Sequence, residues 1–145
     1  MPVLGMDHVG VIVDDLQAAV AFFVALGLEL DGSGTIDGEW VDRIVGLEGV
    51  ANEFAYLRTP DGQGALELIK FNAPPVEDGN PGAPANTTGL RHVAFAVDDI
   101  DATVARLQTH GAALVGEVVQ YESSYRLCYL RGPEGIIVEL AQKID

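Results

Sequence analysis

Two stretches of the chain carry the same pattern of apolar and polar positions. Val9 to Val13 and Val93 to Val97 are β-branched, apolar runs that predict strands covered on both faces or nearly so. Each run stops at an Asp pair, Asp14-Asp15 and Asp98-Asp99. A carboxylate there accepts from the free amides of a first helical turn and favours the positive end of its dipole, so each pair predicts a helix start. Leu16, Ala19, Val20, Phe23 and Leu26 then recur at helical spacing up to a stop at Gly27, and Ile100, Thr103, Val104 and Leu107 do so up to Gly111. Short strands follow, and each stretch closes in a hairpin. Asp61-Gly62 joins predicted strands over 53–58 and 65–71, and Glu134-Gly135 joins predicted strands over 125–131 and 136–142.

The two stretches are copies of one module. Of the 23 positions that set 8–30 against 92–114, ten are identical: His8, Val9, Val13, Asp14, Asp15, Ala18, Val20, Ala21, Gly27 and Leu30 with their counterparts. Tyr56-Leu57-Arg58 matches Tyr129-Leu130-Arg131, and Leu66-Glu67-Leu68 matches Val138-Glu139-Leu140. Gene duplication is the simplest account. The organisation read from this is a first module over 1–71, a linker over 72–89 and a second module over 90–145. The linker holds four of the seven prolines with repeated Gly and Asn, which predicts an exposed segment. Its length lets the modules pack side by side or exchange with those of a second chain.

Charge narrows the function classes. With 8 Lys+Arg against 22 Asp+Glu in 145 residues, the formal charge is −14, which excludes nucleic acid and anionic membranes as primary partners. No apolar stretch reaches the roughly 20 residues a membrane helix needs. The start has no basic region ahead of an apolar one, so the expected compartment is the cytoplasm. Cys128, the single cysteine, sits in Leu127-Cys128-Tyr129-Leu130 and reads as a small core residue.

The duplication also repeats a pair of metal-binding residue types: His8 with Glu67, and His92 with Glu139. Each Glu lies between apolar neighbours in a predicted strand, so alternation turns it away from the core, towards solvent or a cavity. A lone His beside an apolar run is an ordinary surface residue. Retention of both pairs while neighbouring positions diverged points instead to a two-imidazole, two-carboxylate site. Such a donor set suits one borderline divalent ion, Zn, Ni, Co or Mn, with positions open to water or substrate. Arg43, Arg91 and Arg126 are candidates for holding an anionic part of a substrate. Trp40, Phe54, Tyr121, Tyr125 and Tyr129 are aromatic candidates for lining a pocket, Trp40 and Tyr129 foremost.

These residues give the chain a resemblance to the vicinal oxygen chelate superfamily, which includes glyoxalase I, methylmalonyl-CoA epimerase, extradiol dioxygenases, fosfomycin-resistance enzymes and bleomycin-binding proteins. The matching stretches are Asp7 to Val11 with Asp14-Asp15-Leu16, Leu66-Glu67-Leu68, Gly89 to Phe95, and Gly132 to Leu140. The resemblance implies an α+β fold: two βαβββ modules form an open, incomplete β-barrel around a metal-binding cleft, often completed across a homodimer. In metal-site pattern, His8, Glu67, His92 and Glu139 are most similar to glyoxalase I. The implied activity is that of a metal-dependent lyase or isomerase acting on a small molecule with vicinal oxygens. Proton transfer beside a carbonyl would proceed through a metal-stabilised enediolate, with Glu139 or Glu67 as the base. The alternatives are an epimerase or extradiol-type dioxygenase on the same residues, or a non-catalytic small-molecule binder of the bleomycin-resistance kind.

Overall fold

The computed structural model describes residues 2–144. The chain divides into two compact units, residues 1–78 and 79–145. In the first, the order is β1 (Val9–Ile12), α1 (Leu16–Leu26), β2 (Glu29–Asp37), α2 (Glu39–Val45), β3 (Ala51–Arg58) and β4 (Ala65–Ala73). In the second it is β5 (His92–Ala96), α3 (Ile100–Gln108), β6 (Ala113–Leu114), β7 (Val119–Tyr121), β8 (Tyr125–Arg131) and β9 (Ile137–Lys143). Each unit is one mixed sheet with a helix on one face, and the fold class is α+β. Strand orders are β1-β4-β3-β2 and β5-β9-β8-β6, with β7 also on β8, so the strand that opens each module lies parallel to the strand that closes it. Neither sheet closes into a barrel.

The caps form as the Asp pairs predict. Asp15 accepts from the Ala18 amide at 3.0 Å and Asp99 from the Ala102 amide at 3.0 Å. Gly27 ends α1 at φ 128°, donating to the Phe23 and Val24 carbonyls. The second helix ends earlier than its glycine, at Gln108, because Thr109 caps it, and Gly111 turns the chain two residues later at φ 87°. The first core is Ala19, Phe22, Phe23 and Leu26 of α1 over Ala55, Leu57, Leu66 and Leu68. The second is Ile100, Thr103, Val104 and Leu107 over Cys128, Leu130, Val138 and Leu140.

The structure amends two expectations and refines a third. The opening strands are covered on one face only: Gly10, Ile12, Ala94 and Ala96 are exposed, alternating with half-buried residues. A β-branched run satisfies a strand with one covered face as well as one with two. The segment between the modules is mostly exposed, as its composition predicts, but it is anchored at places. Its first residues extend β4, Ala83 is buried, and Arg131 donates to the carbonyls of Pro81 (3.2 Å) and Ala83 (2.6 Å) as well as to that of Gly135 (3.0 Å). Residues 79–89 therefore belong with the second unit. Finally, α2 interrupts the first module between its second and third strands.

Candidate metal-binding residues

Strand parity decides which side chains share the face opposite the helix. In the first unit Leu66 and Leu68 point to α1, so Glu67 between them faces the other way, register-paired with Gly10 on β1 and Tyr56 on β3. In the second, Val138 and Leu140 are buried, and Glu139 is paired with Ala94 on β5 and Tyr129 on β8. His8 and His92 stand two positions before Gly10 and Ala94, which brings each to its own Glu. The distances are 3.6 Å from His8 Nε2 to Glu67 Oε1 and 3.2 Å from His92 Nε2 to Glu139 Oε1. The same four-residue arrangement (His, Glu, a small residue, Tyr) is thus built twice from the same topology.

Each tyrosine ring lies against its histidine, with centroids 5.6 Å apart for Tyr56 and His8 and 5.0 Å for Tyr129 and His92. Backing of the two imidazoles differs. Asp7 Oδ2 is 2.6 Å from His8 Nδ1 and accepts from the Tyr56 hydroxyl at 3.4 Å, whereas His92 Nδ1 meets the Tyr129 hydroxyl at 3.4 Å. The hydrogen bond to His8 holds the Asp7 carboxyl below its ordinary range. Desolvation, followed by the Asp7 charge, pushes the Tyr56 phenol up. Arg58 stacks over the Tyr56 ring at 5.2 Å while its Nε donates to Asp31 at 2.8 Å.

The donor chemistry fits a divalent ion. In each pair an imidazole nitrogen and a carboxylate oxygen converge, and no Lys or Arg is ion-paired with Glu67 or Glu139 among the described residues. A carboxylate with no protein cation beside it is suited to a bound one. Each unit supplies two donors; among the described residues, no group of three or more His, Cys, Asp or Glu side chains is assembled to hold a metal. Glu139 and Tyr129 also border a depression of about 400 Å³ with Val115, Glu117, Leu127 and Cys128, within the usual size for a small-molecule site. Burial pushes the Cys128 thiol up, away from the reactive thiolate.

The remaining candidates scatter. Arg126 lies on the helix side of β8, bidentate to Asp101 at 2.7 and 3.0 Å, so it is engaged on the face opposite Glu139. Trp40 and Arg43 are exposed on α2, which leans on β2, the far edge of the sheet from β1. Arg91 precedes His92, and its Nε is buried without a partner. Phe54 is half-buried on β3, and Tyr121 and Tyr125 are exposed. Asp7 and Tyr56 escaped the sequence reading. Tyr56 was legible there, because the repeat sets it against Tyr129; Asp7 has no counterpart, since Arg91 occupies its place.

The duplicated βαβββ module thus presents a His–Glu pair on the open face of each sheet. The sequence model of the Glyoxalase/Bleomycin resistance protein/Dioxygenase superfamily matches residues 7–129. The chain belongs to this superfamily. A glyoxalase family protein from Bacillus cereus, of known crystal structure, is 47% identical, with a TM-score of 0.97 over 100% of this chain and 97% of that one. Two curated relatives are uncharacterized proteins. YaeR of Escherichia coli is 37% identical over 83 residues, 57% of this chain and 61% of that protein, so the match spans less than two thirds of its length. YwbC of Bacillus subtilis is 29% identical over 141 residues, 95% of this chain and 97% of that protein. The fold is shared at 15% identity, with a TM-score of 0.62 over 96% of this chain and 90% of that one, by a mutant of the fosfomycin resistance protein FosX from Listeria monocytogenes. That protein was crystallised with Mn(II) and 1S,2S-dihydroxypropylphosphonic acid. No helix among the described residues is long and apolar enough to cross a membrane.

Proposed function

We propose that the chain is a divalent-metal-dependent lyase or isomerase of the glyoxalase type, acting as a homodimer on a small molecule with vicinal oxygens. The observation that carries the reading is the repeated His–Glu pair, held by strand parity on the face each helix leaves open and, among the described residues, without a Lys or Arg ion pair. His8, Glu67, His92 and Glu139 are the ligands, two from each module. The Mn(II) complex of FosX with a vicinal diol supports a divalent ion on this scaffold.

A divalent ion held by these residues would supply positive charge beside the substrate oxygens and so make the adjacent C–H more acidic. Glu139 or Glu67 takes the proton from that carbon and returns it, to the neighbouring carbon in an isomerisation or to the same carbon in an epimerisation. The depression beside Glu139 gives that carboxylate access to a substrate, with Tyr129 as a wall.

Elemental analysis after exhaustive dialysis tests the proposal, run beside His92→Ala and Glu139→Ala. The expected result is about one divalent ion per four-ligand site, lost in both variants. Substoichiometric metal indifferent to both substitutions overturns it in favour of a non-catalytic binder. Deuterium uptake from solvent into substrate then separates proton transfer from oxygen consumption, the mark of a dioxygenase. Light scattering at micromolar concentration should give twice the 15.3 kDa of one chain; the mass of one chain would refute the dimer.

A further inference from the structure

His8 and His92 hold equal places in the repeat, yet their Nδ1 atoms have unequal partners. Beside His8 Nδ1 stands the Asp7 carboxylate at 2.6 Å, itself reached by the Tyr56 hydroxyl at 3.4 Å. In the second module Arg91 takes the place of Asp7 and its side chain offers no acceptor, so among the described residues His92 Nδ1 meets the Tyr129 hydroxyl, at 3.4 Å. A carboxylate only accepts, so a neutral imidazole beside Asp7 keeps its proton on Nδ1 and turns the Nε2 lone pair towards Glu67. A hydroxyl both donates and accepts, and Tyr129 imposes neither tautomer on His92. Nothing then opposes an Nε2–H directed at Glu139 Oε1, 3.2 Å away, and that proton must leave before His92 can serve as a ligand.

We infer that Asp7 is a positioning residue: it fixes His8 as a preformed Nε2 donor, which makes His8–Glu67 the tighter half of the ligand set and His92–Glu139 the half that rearranges. The inference rests on the metal reading above, and it is specific to this chain because the repeat supplies its own contrast. Carboxylates that orient metal-binding histidines act in this way, and their loss typically weakens metal binding about 10- to 100-fold. Asp7 lies ahead of β1 and is exposed, so its removal leaves the core intact.

The test combines tautomer assignment by nitrogen-15 NMR of the metal-free protein with Mn(II) titration followed by the EPR signal of free Mn(II). Both are run at about pH 8, where an ordinary histidine is neutral. The wild type should show His8 protonated on Nδ1 and His92 on Nε2. Asp7→Ala should leave His8 a mixture of tautomers and weaken Mn(II) binding about tenfold or more. Glu29→Ala, which removes an equal charge from β2 at the far edge of the same sheet, should change neither. Unchanged Mn(II) affinity in Asp7→Ala, whatever the tautomer, overturns the inference, as does an equal loss in Glu29→Ala. A wild type that binds no Mn(II) overturns the metal reading itself, and that failure shows before any variant is made.

Discussion

Gly135→Ala is the substitution whose cost can be worked most directly from the structure. Gly135 has φ 78°, and a Cβ built on it would stand 2.1 Å from the Pro81 carbonyl oxygen and 2.6 Å from Pro81 C and Cα, all backbone atoms. Ordinary carbon contacts lie at about 3.5–4 Å, so the 81–83 stretch must retreat by roughly 1 Å. That retreat pulls the Pro81 carbonyl, the one the new Cβ strikes, off Arg131. A non-glycine residue in the left-handed region costs about 1 kcal/mol, and loss of one charge-assisted hydrogen bond net adds about 2 kcal/mol. The expected destabilisation is therefore about 3 kcal/mol. Gly62→Ala is the control: it has φ 76° and nothing within 4 Å of its Cβ, so it carries the backbone term of about 1 kcal/mol alone. Equilibrium urea unfolding followed by far-ultraviolet circular dichroism reads both. If Gly135→Ala is no more destabilising than Gly62→Ala, the packing of Pro81 on the second hairpin is refuted.

Other outcomes follow from the same physics. Asp15→Ala and Asp99→Ala should each cost about 1 kcal/mol in chemical denaturation, the usual worth of an N-cap, and a negligible loss would show the caps to be replaced by water. Leu68→Ala, which empties a fully buried position under α1, should cost about 3 kcal/mol, whereas a loss under about 1 kcal/mol would mean that the first core collapses around the gap. Arg126 holds the Asp101 carboxyl below its ordinary value of 3.8, so the contribution of this group is present above that value and lost as pH falls through the lower, folded one. The Tm advantage of the wild type over Asp101→Asn should hold from neutral pH to about 5 and shrink below about 4, and a constant difference down to about pH 2 would refute the ion pair.

What could be read from the sequence follows from what repetition and local chemistry encode. The Asp15 and Asp99 caps, the two hairpins and the outward direction of Glu67 and Glu139 are set by neighbours along the chain, and the duplication doubled each signal. The features that escaped depend on distant partners or on weak local patterns. Burial of Ala83 requires Arg131, 48 residues away, and the engagement of Arg126 requires Asp101, 25 residues away. The helix over Glu39–Val45 is seven residues long, has no side-chain cap and buries only Val41, so its periodicity is too short to stand out. Phe22 enters the core beside Phe23 because α1 meets β2, β3 and β4 over a broad stripe, wider than the strict helical spacing suggested. The His8–Asp7 contact pairs adjacent residues, yet Asp7 lies outside the repeat and gave no signal by duplication.

The alternation of side chains along the strands also separates two kinds of selection. In β4, Leu66 and Leu68 answer to folding while Glu67 lies on the open face; in β9, Val138 and Leu140 stand in the same relation to Glu139. A change at Gly10, Tyr56, Ala94 or Tyr129 alters the wall around a carboxylate without touching the residues under α1 or α3. Single substitutions at alternate positions can thus change the open faces while the buried residues under the helices stay as they are. The same alternation forbids another kind of change: a slip of β4 or β9 by one residue would exchange its two faces at once, placing a carboxylate in the core and a leucine in its stead.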